Sequence, residues 1–170
     1  THIAATMGGG VAFAFCLSLF IGVITYANAL VAQYYGAGAM DKCPRVVSQG
    51  LLLATACIPL LLLAGYFGGR SFSYLDHDPS QVRLETVYFQ ILMTGSFFNL
   101  VKACLASYFA GIGRTRVVMI SDVLAVALNI PLSWMLVFGK FGLPALGITG
   151  AALGTVIATV FGTGLFFAFY

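Results

Sequence analysis

Five long apolar segments, separated by short stretches that hold most of the charges and turn residues, constrain this chain more than any other feature. Segments A to E run over residues 3–35, 46–67, 79–110, 117–138 and 147–170. Each contains an apolar stretch near the roughly 20 residues that a helix needs to cross a bilayer core. None alternates apolar and polar residues over about 10 positions, as a barrel strand would. The pattern predicts an all-α fold, a polytopic membrane bundle of five transmembrane helices. Composition points to the same solvent. The chain is 61% apolar and 8% charged, against roughly 45–50% and 25% in soluble domains. Eight Lys or Arg and five Asp or Glu cannot cover the outside of 170 residues in water, so the expected partner of this surface is a lipid bilayer. A net charge of +3, thinly scattered, argues against a nucleic-acid partner. Cys16, Cys43, Cys57 and Cys104 lie far apart, with no C-x-x-C pair and no neighbouring His. They read as small hydrophobic residues and not as a disulfide or zinc framework.

Segment C has a clear start signal in Asp78-Pro79-Ser80-Gln81, with a capping carboxylate and a proline at the first helical position. Its far end, Tyr108-Phe109-Ala110-Gly111-Ile112-Gly113, resembles the end of segment A, Tyr34-Tyr35-Gly36-Ala37-Gly38. In both, glycine can stop the helix and aromatics sit at headgroup level. Lys42 and Arg45 in the A–B loop and Arg114 and Arg116 in the C–D loop face Arg70, Arg83 and Lys140 on the other side, where Asp76, Asp78 and Glu85 dilute them. The positive-inside rule then makes loops 36–45 and 111–116 cytoplasmic. The chain opens without Met, and segment E runs to Phe166-Phe167-Ala168-Phe169-Tyr170 without a charged flank. The expectation is a piece of a longer chain, in which segment A, lacking a basic leader, is a membrane helix and not a secretory signal.

Polar groups inside hydrocarbon are costly, so those present point to function. On segment D, Asp122, Asn129 and Ser133 recur at seven and four residues and share a helical face. Pro131, placed in the middle of that face, cannot donate to the Ala127 carbonyl, which leaves a free acceptor and a bend near the bilayer midplane. Such a helix lines a transport cavity or, on the alternative reading, its Asn129 and Ser133 hydrogen-bond neighbouring helices. Ser96, Asn99 and Lys102 form a matching stripe on segment C. If C and D make an antiparallel hairpin, Lys102 and Asp122 lie at one depth, as do Asn99 and Asn129. A structural ion pair Lys102–Asp122 is then expected, because a lone charge costs about 2.5–3.5 kcal/mol on insertion scales. The alternative role of Asp122 as a proton or ion site is disfavoured by the nearby lysine, which keeps the carboxylate ionised.

Gly150, Gly154, Ala158 and Gly162 on segment E, and Ala4, Gly8, Ala12 and Cys16 on segment A, are small-residue rails for close helix packing. Thr155 beside the first rail bonds back to its own helix or faces a cavity. Gly36-Ala37-Gly38 and Gly111-Ile112-Gly113 follow helices and not strands, which excludes a dinucleotide loop. Asp76-His77-Asp78 reads as a solvated turn in preference to a metal site, and His2 stands alone. No Ser/His/Asp or Cys/His grouping suggests an enzyme, and no cofactor or metal is expected.

Taken together, several motifs resemble multidrug and toxic compound extrusion (MATE) transporters. They are Ala29-Leu-Val-Ala-Gln33-Tyr-Tyr-Gly36-Ala-Gly38, Gly113-Arg-Thr-Arg116, Asn129-Ile-Pro-Leu-Ser-Trp, Phe138-Gly-Lys-Phe-Gly-Leu-Pro-Ala-Leu-Gly147 and Gly150-Ala-Ala-Leu-Gly-Thr155. With the helix spacing, the likeness covers essentially the whole chain, and the Asn-Ile-Pro-Leu pattern looks most like the NorM-type branch. The resemblance implies twelve helices in two six-helix bundles. It also implies export of small cationic or amphiphilic compounds in exchange for H+ or Na+, from a bacterial inner membrane or an equivalent plasma membrane. Segments A to E would be the second to sixth helices, so the first helix and the C-terminal bundle would be partners outside this sequence. In the DinF-like branch an aspartate one turn after the Asn129 equivalent forms a proton site with a threonine matching Thr155, and Ser133 stands in that aspartate's place. The expected cavity residues are Asn129, Ser133 and Thr155, with Asn99 beside them. Two other functions stay open, a lipid or lipid-linked precursor flippase of related architecture and a structural membrane subunit that transports nothing.

Overall fold

A computed structural model describes residues 2–72, 79–140, 142 and 144–170. The helices are α1 (His2–Thr25), α2 (Ala27–Gly36), α3 (Cys43–Ala56), α4 (Ile58–Ser71), α5 (Pro79–Gly111), α6 (Thr115–Phe138) and α7 (Ile148–Phe169), with a 3-10 turn at Met40–Lys42. No strand occurs among the described residues. Five stretches are long and apolar enough to cross a membrane: Thr6–Gly36, Met40–Arg70, Pro79–Gly111, Thr115–Phe138 and Ile148–Phe169. The protein is a multi-pass membrane helix bundle.

Two of the five segments differ from the unbroken helices expected of them. Segment A breaks at Tyr26, whose carbonyl accepts from both Ala29 N at 3.0 Å and Leu30 N at 3.4 Å. That sharing tightens the turn toward a 3-10 pattern. Just before it, Thr25 Oγ1 donates to the Gly22 carbonyl at 3.2 Å, a back-bond of the kind that bends helices. Segment B breaks at Cys57, two residues before Pro59, which has no N–H to give to the ladder. The second segment is also longer than expected, from Cys43 to Ser71, because Pro44 falls in the first helical turn where a missing donor is tolerated. The Asp78 cap and the Asp76-His77-Asp78 turn lie outside the described residues. Gly38 (φ 73°) and Gly113 (φ 77°) take the left-handed conformation expected where the first and third spans end.

Close approaches fix the directions of the helices. Gly65 and Gly68 of α4 sit against Met93 and Phe89 of α5, an antiparallel pair. Gly8 of α1 lies by Glu85, and Val31 of α2 lies by Gly111 at the other end of α5, so the first span runs parallel to α5. On the opposite flank Gly95 meets Val156 and Phe109 stacks on Phe166, which makes α7 parallel to α5 as well. These directions fit crossings that alternate along the chain. α5 is the central post, and its Phe89, Leu100, Cys104, Leu105 and Phe109 are fully buried.

The expected C–D hairpin is corrected in one respect. α6 lies mainly against α7, with α7 packed along both α6 and α5, and direct contact between α5 and α6 is slight. Exposed rows such as Met7, Val11, Phe15 and Leu19 on α1, and Val123, Ile130 and Trp134 on α6, would drive aggregation in water. In a bilayer they are ordinary lipid contacts.

A Cβ placed on Gly150 would fall 2.6 Å from the Leu136 carbonyl, whereas Gly164 of the same helix has open space around it. Gly150→Val should therefore lower stability by about 1–3 kcal/mol, the range for overpacking. Gly164→Ala should be neutral or slightly stabilising, given the better helix propensity of alanine. Thermal melts of the two variants in detergent check this.

Candidate functional site

The site is built by the glycine rail of α7. Gly150 faces the backbone of Leu136, Gly154 faces Ser133, and Gly162 faces Ala125, whose Cβ would be 3.1 Å from one on the glycine. With no side chain on the glycines, α6 and α7 run close and antiparallel over the stretch from Gly150 to Gly162, a little over three turns. Beside this seam a cavity of about 230 Å³ opens, lined by Lys102, Ala125, Val126, Asn129, Thr155, Ala158 and Thr159. Asn129 and Thr155, expected to share a cavity, do line this one. Asn129 is half-buried, and none of the described residues hydrogen-bonds its amide.

Thr155 Oγ1 donates to the Ala151 carbonyl at 3.1 Å and Thr159 Oγ1 to the Thr155 carbonyl at 2.9 Å. Each hydroxyl has one proton, and with that proton committed backward its oxygen can only accept from a further ligand. Thr163 continues the ladder, its single hydroxyl proton shared between the Thr159 carbonyl at 2.8 Å and the Phe98 carbonyl of α5 at 3.2 Å, which brings α7 into contact with the central helix. Thr159 and Thr163 were not singled out from sequence, although their spacing of four from Thr155 was the available signal. Ser121 was also missed; its fully buried Oγ has no hydrogen-bond partner among the described residues.

Lys102 Nζ and Asp122 Oδ1 are 2.7 Å apart, joining α5 to α6 across the base of the cavity. Asp122 Oδ1 has no access to solvent, and the ammonium is what compensates its charge. The pair leaves the cavity close to neutral, with oxygen acceptors from Asn129 and the threonines above it.

The remaining residues fall elsewhere. Ser133 lies against Gly154 in the seam and is not among the cavity-lining residues. Asn99 is half-buried on α5 and outside the lining, and Ser96 is buried with its hydroxyl donating to the Met93 carbonyl of its own helix. Pro131 corrects the sequence reading. It is exposed and does not share the face of Asn129, because two residues turn a helix by about 200°. α6 is nonetheless continuous through it. Glu85, counted from sequence only as an outer-side charge, is completely buried.

A family model described as MatE matches residues 1–135. The chain belongs to the MatE family. It is similar to a probable multidrug resistance protein NorM of Neisseria meningitidis, 30% identical over 158 residues, which covers 91% of this chain and 34% of the relative. A multidrug resistance protein NorM of Aliivibrio fischeri is 31% identical over 81% of this chain and 30% of its own length. The chain thus spans about a third of the curated relatives it matches. Among solved structures, an inward-facing multidrug resistance MATE family transporter superposes with a TM-score of 0.74 at 22% identity, over 97% of this chain and 37% of that one. That likeness shows the fold.

Removing either charge of the Lys102–Asp122 pair should destabilise the bundle more than removing both. The coupling should sit at the lower end of about 0.5–3 kcal/mol, since the Asp122 side chain is 48% exposed. Melts of Lys102→Ala, Asp122→Ala and the double variant measure it. Additive losses would mean that the pair contributes nothing.

Proposed function

We propose that this chain forms most of the N-terminal helix bundle of a secondary multidrug exporter. The whole transporter would move cationic or amphiphilic compounds out of the cell in exchange for H+ or Na+, by rocking of one bundle against another. The membership in the MatE family and the multidrug resistance names of the relatives support the substrate class. The observation that carries the reading is the cavity beside the α6–α7 seam. It is close to neutral, walled by apolar side chains, and supplied with acceptor oxygens at Asn129, Thr155 and Thr159. A cation with an apolar body finds there oxygen partners for its charge and dispersion contacts for its body. Ser133 acts on this reading through the seam, by holding α6 against Gly154, and Asn99 stands outside the ligand's reach. A flippase for anionic lipid headgroups would need a net basic cavity, and the charge of Lys102 is already matched by Asp122.

The proposed setting is a cell membrane, bacterial inner or plasma, with loops 36–45 and 111–116 on the cytoplasmic side, where Lys42, Arg45, Arg114 and Arg116 cluster. The cavity then sits near mid-membrane, with the Lys102–Asp122 pair on its cytoplasmic side.

Asn129→Ala should leave insertion intact and reduce efflux by roughly tenfold, the equivalent of one hydrogen bond to a charged ligand at about 1.5 kcal/mol. The measurement is efflux of a cationic dye by the full-length transporter, normalised to the amount in the membrane. Unchanged efflux per molecule would remove Asn129 from the ligand site and with it the cavity assignment.

A further inference from the structure

We propose that the cavity beside the α6–α7 seam selects cations that carry N–H groups, primary ammonium ions above all, over quaternary ammonium compounds; the inference deepens the exporter reading and rests on it. The cavity, at about 230 Å³, is smaller than the roughly 300–1,000 Å³ that takes a whole drug-sized ligand. It therefore holds the charged head of an exported compound, and the chemistry of that head decides the fit.

Asn129 Oδ1, Thr155 Oγ1 and Thr159 Oγ1 belong to the lining, and no described residue donates to any of them. The two threonine protons are already committed, to the Ala151 carbonyl at 3.1 Å and the Thr155 carbonyl at 2.9 Å. Neither hydroxyl can donate to a ligand, so both can only accept. Thr155 and Thr159 stand one turn apart on α7, a spacing that puts Cβ atoms about 5–6 Å from each other. Asn129 faces them from α6. A primary ammonium has three N–H donors, one for each of these oxygens. A nitrogen lying between the two threonines comes within reach of both at the roughly 2.7–2.9 Å of charged N–H···O bonds.

A quaternary nitrogen has no N–H, and its alkyl groups hold the charge away from each oxygen. Proteins recognise such cations with the faces of aromatic rings. None of the described lining residues is aromatic; between the polar groups stand Ala125, Val126 and Ala158. α6 does carry Trp134 and Phe138, but their rings meet each other at 6.3 Å and lie outside the lining. The described lining has no carboxylate either. Lys102 is paired with Asp122, and Asp122 lies seven residues, about 10 Å along the axis, from Asn129. With no opposite charge at that level to hold a cation, its affinity depends on the hydrogen bonds that it can give. Each bond from a charged donor, net of the water bond it replaces, is worth about tenfold in affinity.

The test uses the full-length transporter, purified in detergent, and two probes: dansylcadaverine, which ends in a primary ammonium, and its analogue ending in trimethylammonium. Both carry a single positive charge at neutral pH. Calorimetric titration, corrected with a protein-free detergent blank, gives the two affinities. Wild type should bind the primary ammonium at least about tenfold more tightly. Thr155→Val and Thr159→Val keep the shape of the side chain and remove an acceptor. Each should lower the affinity for the primary ammonium by about tenfold and narrow the preference by the same factor. Thr155→Ser, which returns the acceptor oxygen and can repeat the bond to Ala151, should return the preference. Equal or tighter binding of the trimethylammonium probe by the wild type overturns the proposal, and that result needs no variant to fold. So does a preference unaltered in folded valine variants, whether both affinities fall together or neither falls, because the hydroxyls would then be structural. A wild-type protein that binds neither probe and exports no cationic dye would instead overturn the exporter reading on which this one rests.

Discussion

In hydrocarbon an apolar side chain gains nothing by leaving lipid for another helix, so α6 and α7 are held together by how closely their backbones approach. Gly150, Gly154 and Gly162 supply that closeness. Each faces an atom of α6 that a methyl group would strike or crowd: the Leu136 carbonyl, Ser133 and the Ala125 Cβ. The register set by these contacts decides what else meets. It places Asn129 opposite Ala158 and between Thr155 and Thr159, and it brings Asp122 down to the depth of Lys102 on the central helix. The site is a consequence of the seam. A one-residue slip of α7 would turn the threonine face by about 100° and dissolve the cavity lining.

The second constraint is the cost of polar groups in a bilayer, and the structure meets it in three ways. Hydroxyls of Thr155, Thr159 and Thr163 donate to carbonyls one turn back in their own helix. Lys102 and Asp122 neutralise each other. Glu85 is covered by α1 and held by Gln81. Asn129 is handled in none of these ways. Its amide faces the cavity without a hydrogen-bond partner among the described residues, which is the condition in which a ligand gains most by supplying one.

Much of this was legible in the sequence. The spans could be read because membrane length and apolarity are one-dimensional properties. The glycine rail on α7 and the equal depth of Lys102 and Asp122 could be read because a helix has a fixed rise and a fixed turn. The breaks at Tyr26 and Cys57 were missed for a local reason. Both rest on single hydroxyl back-bonds or a single absent N–H inside segments that stay apolar throughout. Placing Pro131 on the face of Asn129 was an error of angle, since neighbours two apart on a helix point away from each other. Glu85 was the costliest omission. By position it counted as an outer charge, and only the packing of α1 against α5 shows that Gly8 leaves room for its carboxyl.

The central claim is that the face of α6 carrying Asn129 borders a ligand cavity and not lipid. The most direct test is thiol labelling of the full-length transporter carrying Asn129→Cys, with Val123→Cys on the exposed, lipid-facing side of the same helix as control. Cys16, Cys43, Cys57 and Cys104 are free thiols in the native chain, so each variant is read against the unsubstituted protein. The account predicts that a charged, water-borne maleimide labels Asn129→Cys, that a cationic substrate protects it, and that Val123→Cys stays unlabelled. An Asn129→Cys protein as unreactive as the control, or labelled without protection by substrate, would contradict it.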